Sequence, residues 1–114
     1  MITLSFDESL ILSRSFDVKI KRDNHKYYGK MLLTTKRILV YRKSLLGKLQ
    51  VTSYSYSSLL SMKYVGFFRK KLALFISDNK SKDNAVIIFI LEDEDEVKNA
   101  LKKVIREVKI YNIE

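Results

Sequence analysis

At 114 residues and 13.4 kDa, with 46% apolar and 31% charged residues, the chain has the size and composition of one folded domain with its own core. It has no cysteine and a single histidine, which excludes disulfides, thiolate metal sites and cysteine nucleophiles and removes most zinc sites and acid–base triads. Lys and Arg number 22 against 13 Asp and Glu, a formal charge of +9, so an anionic counterpart is expected: membrane head groups, nucleic acid or an acidic protein surface.

The opening residues MITLSFDESLIL carry Asp7 and Glu8 and no basic run, unlike a signal peptide. The longest apolar run, Ala85–Leu91, has the length of a strand and not of a membrane span. We therefore expect a cytoplasmic protein, at most peripherally attached to a membrane. From Leu10 to Ile20 the chain alternates apolar and polar residues, the period of a half-buried strand. KRDNHK follows as a turn, with Asp23 and Asn24 suited to left-handed backbone. A second strand is predicted over about 27–34 and, after the turn Thr34–Arg37, a third over about 38–42. Gly47 suits the next loop, SLLGK, and a fourth strand runs over about 49–54.

A short connection near 55–58 leads into a fifth strand over Leu59–Val65, and Gly66 opens the loop before a sixth over about 71–76. SDNKSKDN reads as a turn, and Ala85–Leu91 as a seventh strand apolar enough to be buried on both faces. Then Val97, Ala100, Leu101, Val104, Ile105 and Val108 recur at i, i+3, i+4, i+7, i+8 and i+11, the stripe of an amphipathic helix. Acidic residues load its start and Lys102, Lys103, Arg106 and Lys109 its later half, which complements the helix dipole. Seven short strands, a terminal helix and no proline predict a mainly β, small barrel or bent sandwich with the helix over one opening.

Certain of these residues form a pattern: Gly29, Leu33, Thr34 and Arg37, the apolar run Ile38, Leu39 and Val40, then Leu60, Ser61, Met62 and Tyr64, preceded by Asp7-Glu8-Ser9-Leu10. The pattern resembles PH-like domains of the bacterial PH and GRAM type, and more weakly split PH (GLUE) domains, over about residues 7–108. The resemblance implies a single domain over 1–114: a seven-stranded antiparallel PH-like barrel over about 10–91, capped by an amphipathic helix over about 93–109. It also implies a non-enzymatic binding module without cofactor or small-molecule substrate. Lys19, Lys21 and Arg22 match part of the basic run of phosphoinositide-binding PH domains, but Gly29-Lys30-Met31 stands where its arginine would fall.

No catalytic or metal-binding pattern stands out. The three glycines are too scattered for a phosphate loop, and Glu92–Glu96 reads as a helix N-terminus rather than a cation site. His25 falls in an exposed turn, and the serines of 53–61 have no histidine near them in sequence. Aromatic residues among cations suit nucleic-acid stacking, but the tyrosines read more simply as strand or rim residues.

In an up-and-down meander the odd-numbered connections share one end of the barrel. These connections carry most of the excess charge: Lys21, Arg22 and Lys26; Arg42, Lys43 and Lys48; Arg69, Lys70 and Lys71. They also carry Leu45, Leu46, Phe67 and Phe68, which either project from a cationic rim or pack inward to close the barrel mouth. The first arrangement suits peripheral attachment to an anionic membrane. The alternatives are a protein-interaction or self-assembling scaffold, with a homo-oligomer as one form of it, and nucleic-acid binding.

Overall fold

Alternation decides which side of each strand turns inward. In β1 (Phe16–Arg22) the residues Phe16, Val18 and Ile20 are fully buried, whereas Asp17 and Lys21 are exposed. Next come β2 (His25–Leu33), β3 (Arg37–Lys43), β4 (Leu49–Ser55), β5 (Leu59–Val65), β6 (Lys71–Ser77) and β7 (Ala85–Ile90). Strand β7 keeps the rhythm, while β3 and β6 bury three residues in a row, Ile38–Val40 and Leu72–Leu74. A single 3-10 turn, Tyr56–Ser58, joins β4 to β5, and helix α1 (Glu94–Asn112) follows β7. The computed structural model describes residues 3–23, 25–77 and 85–112, with Ala85 and 107–112 described by backbone alone. The expected turn over 77–84, apart from Ser77 in β6, and the side chain of Val108 lie outside the described residues.

All seven strands form one antiparallel sheet in the order β4-β3-β2-β1-β7-β6-β5. The sheet curls into a half-barrel whose inner face is the core: Phe16, Ile20, Met31, Leu33, Ile38, Leu72, Leu74, Ile76 and Ile88 are fully buried in it. From α1, Val97, Leu101 and Val104 close this core, and the helix packs against β6 and the 3-10 turn. Strands β4 and β5 are the two edges of the sheet, joined through the chain but not by a ladder.

The first strand starts at Phe16 rather than Leu10. Leu10 makes only an isolated bridge to Thr34, and the Ile11 and Thr35 N–H groups donate to the Leu33 and Ser9 carbonyls (2.9 and 2.8 Å). The chain then leaves the ladder, and Arg14 stacks over the Phe16 ring at 4.1 Å while pairing with Asp93 and Glu92. The seventh strand is not buried on both faces either. Val86, Ile88 and Ile90 are inside, but Ile87 and Phe89 are half-buried on the outer face, which the helix does not cover.

Candidate functional site

Strand register locates each loop. Arg22 pairs with His25 across the β1–β2 turn and with Val86 near the start of β7, and Lys43 pairs with Leu49 across the β3–β4 loop. Those two connections therefore share one end of the sheet. The β5–β6 connection does not join them. Ser77 pairs with Ala85 at the Arg22 end, so Lys71, paired with Val65, lies at the other end of β6. Phe67, Phe68, Arg69, Lys70 and Lys71 consequently sit at the opposite end of the ladder, with the β2–β3 turn. The odd-numbered connections do not converge on one rim. The cause is the link from β4 to β5: those strands do not pair, so strand direction stops alternating with strand number there.

The shared end holds a pocket of about 550 Å³, lined by Arg22, Asp23, His25, Lys26, Tyr27, Val40, Tyr41, Arg42, Gln50 and Thr52. It is the open mouth of the half-barrel. Arg22 follows Phe16, Val18 and Ile20 in the inward series of β1, and Arg42 follows Ile38 and Val40 in that of β3. The core thus becomes cationic toward its opening. The Arg42 guanidinium lies 4.1 Å from the centre of the Tyr27 ring, and its Nε donates to Gln50 Oε1 at 3.0 Å across the β3–β4 pair. Stacking and the hydrogen bond fix the planar group, as recognition of an oxyanion requires. Gly29 gives β3 the space to pass here, since a Cβ at this position would stand 2.7 Å from the Tyr41 carbonyl oxygen.

Beyond the pocket, the β3–β4 loop closes on itself. The Ser44 N–H donates to the Lys48 carbonyl (2.8 Å), the Gly47 N–H to the Ser44 carbonyl (2.9 Å) and the Lys48 N–H to Ser44 Oγ (3.2 Å). Gly47 adopts φ +80°, which glycine accepts without strain. Held by these three hydrogen bonds, the turn projects Leu45 and Leu46 outward, 107% and 86% exposed. The alternative in which they close the barrel mouth does not hold. Arg42, Lys43 and Lys48 are exposed beside them. Lys21 is exposed on the outer face of the sheet, opposite Lys26, outside the pocket lining.

The other end is organised by an ion pair. The Glu8 side chain is fully buried and accepts from Arg37 Nε (2.9 Å), Arg37 Nη2 (3.1 Å), Thr34 Oγ1 (2.5 Å) and the Ser5 N–H (3.0 Å). Hydrogen bonds from Arg37 and Thr34 hold its carboxyl down at about 2. Thr34 Oγ1 also accepts from the Lys36 and Arg37 N–H groups, and the buried Tyr56 hydroxyl donates to the Thr34 carbonyl (2.5 Å). The Leu-Thr-x-x-Arg segment is thus the anchor of the N-terminal segment.

Sequence reading missed Tyr27, Gln50 and Thr52 as pocket residues and placed His25 in a turn, whereas it opens β2 and lines the pocket. A signal was present: Gln50, Thr52 and Tyr54 follow one another on the inward face of β4, just as arginine ends two apolar inward series.

The bacterial PH domain family model matches residues 4–107. Among solved structures, the Vps36 N-terminal PH domain superposes with a TM-score of 0.68 at 18% identity, covering 95% of this chain and 86% of that one. A pleckstrin homology domain from Shewanella amazonensis gives 0.51 at 20% identity, covering 91% and 86%. The C-terminal domain of an unknown protein from Leishmania infantum gives 0.57 at 15% identity, covering 85% and 84%. No curated protein sequence matches. With the family model spanning nearly its whole length and a PH fold in its neighbours, this chain belongs to the bacterial PH domain family.

Proposed function

We propose that this PH domain attaches peripherally to an anionic membrane through the end that carries the Arg42 pocket and the Leu45–Leu46 tip. PH domains are in general binding modules, typically non-catalytic, and the question is what this one binds. The observation that carries the reading is the pair of leucines held fully in water above a cationic pocket. Two adjacent exposed leucines at a loop tip can enter the acyl boundary while Lys43 and Lys48 meet head groups. In this reading Arg22, Lys26 and Arg42 face a phosphate-bearing head group, and Asp23 is the one acid in the lining. A second reading, self-assembly, is favoured by β4, a sheet edge with no charged residue to discourage pairing with another strand.

The test is cosedimentation with phosphatidylcholine vesicles of rising phosphatidylserine content, with a single-stranded oligonucleotide titrated in parallel. Binding should rise with anionic lipid and fall with salt. Replacing Lys43 and Lys48 together by serine should weaken it by about 2 kcal/mol, roughly 30-fold. Leu45→Ser with Leu46→Ser should weaken it too and leave the remainder more salt-sensitive, whereas Lys102→Ser with Lys103→Ser on α1 should have a smaller effect. Absence of vesicle binding at low salt would remove the membrane reading. A molar mass that stays a multiple of 13.4 kDa at high salt would then favour the scaffold, and tight oligonucleotide binding a nucleic-acid function.

A further inference from the structure

The register that moves the β5–β6 connection to the far end of the sheet leaves it there as a feature in its own right. Phe67 and Phe68 are adjacent, 91% and 93% exposed, and set edge to face with centroids 5.0 Å apart. Gly66 makes this possible. It adopts φ +128°, and a Cβ there would meet the Arg69 carbonyl oxygen at 2.4 Å, so the chain doubles back tightly and carries both rings outward. Exposed Arg69, Lys70 and Lys71 follow immediately. From Leu59 to Ser77 the chain has no acidic residue at all.

Both ends of the sheet are therefore built alike, with two consecutive apolar residues at a glycine-containing turn and cations beside them. Leu45–Leu46 and Phe67–Phe68 share no sequence and no strand. What they share is the chemistry of an anionic bilayer surface, which takes an apolar tip with flanking cations and requires no shape complementarity. We propose that the Phe67–Lys71 tip is a second bilayer-inserting site, so that one molecule engages two anionic membranes at once and holds them together. The inference rests on the membrane reading of the Leu45–Leu46 end and adds a second contact to it.

The experiment pairs cosedimentation with vesicle clustering, followed by turbidity and light scattering, on phosphatidylcholine–phosphatidylserine vesicles. The full chain should bind and cluster them. Phe67→Ser with Phe68→Ser should lower clustering by about tenfold or more while most cosedimentation persists through the other tip. Leu45→Ser with Leu46→Ser should abolish clustering in the same way, and the fourfold variant should lose both signals. Arg69→Ser with Lys70→Ser serves as a second variant and should reduce clustering in a salt-dependent manner. A parent that binds without clustering overturns the two-site inference and leaves the first site standing. Clustering that survives Phe67→Ser with Phe68→Ser overturns it as well, because the bridge then comes from self-association. A parent that neither binds nor clusters removes both readings together.

Discussion

Among the described carboxylates, Glu8 is the one whose environment sets it furthest from ordinary behaviour. A carboxylate fully removed from water persists as an anion only because Arg37, Thr34 and the Ser5 N–H supply four hydrogen bonds. Its acidity, shifted from the usual 4.5 down to about 2, makes the ion pair a source of stability above pH 4.5 that is lost as pH falls toward 2. Glu8→Gln should therefore destabilise the protein at neutral pH by about 2 kcal/mol, the order of a hydrogen bond to a charged group. Urea unfolding at pH 7 and near pH 2 checks the sign: the gap between parent and variant should narrow in acid. A gap that is constant with pH would mean that packing, not charge, explains the loss.

At the scale of elements, α1 matters through one stripe. Its first turn holds Glu94, Asp95 and Glu96, which suit the positive end of the helix dipole, and Asp95 accepts from the Tyr64 hydroxyl at 2.9 Å. These surface contacts contribute little beside the burial of Val97, Leu101 and Val104 over the core. Leu101, fully buried, is the middle of the three, and Leu101→Ala should cost about 3 kcal/mol. By contrast, Asp95→Asn should stay within about 0.5 kcal/mol. Chemical denaturation of the two variants separates these values, and comparable losses would mean that the helix is held by its polar contacts.

For the molecule as a whole, a charge of +9 acts against compactness as well as for anionic partners. Lys21 and Lys26 stand directly opposite in the β1–β2 ladder, a like-charge pair that a sheet accepts only at a cost. The Glu8–Arg37 pair, with its carboxylate buried and its guanidinium partly exposed, is screened less by added ions than the surface lysines. Raising salt from low to moderate concentration should therefore stabilise the fold even as it weakens vesicle binding. A gain of about 1 kcal/mol corresponds to roughly 4 °C in Tm. A Tm that falls with salt would show that attractive surface pairs, such as Lys30–Asp17 and Lys36–Asp7, outweigh the repulsion.

What the sequence by itself determined is what local periodicity can encode. Alternation, apolar runs and turn residues located all seven strands, with the limits of Leu59–Val65 reproduced in full and the first strand begun too early, and the stripe from Val97 to Ile105 located the helix. The leucine pair between cations was legible as an exposed tip or a plug, and tertiary structure alone chose the tip. Tertiary structure also decided which loops are neighbours. Counting odd and even connections holds only while each strand pairs with its predecessor, and β5 pairs with β6 instead of β4 while β7 returns to β1. That arrangement sends Phe67 and Phe68 away from Leu45 and Leu46. Separately, the bridge of Leu10 to Thr34 brings Glu8 to Arg37 across 29 positions, a contact no repeat announces. Both depend on hydrogen bonds and packing between segments far apart in the chain, to which a period of two or 3.6 residues is blind.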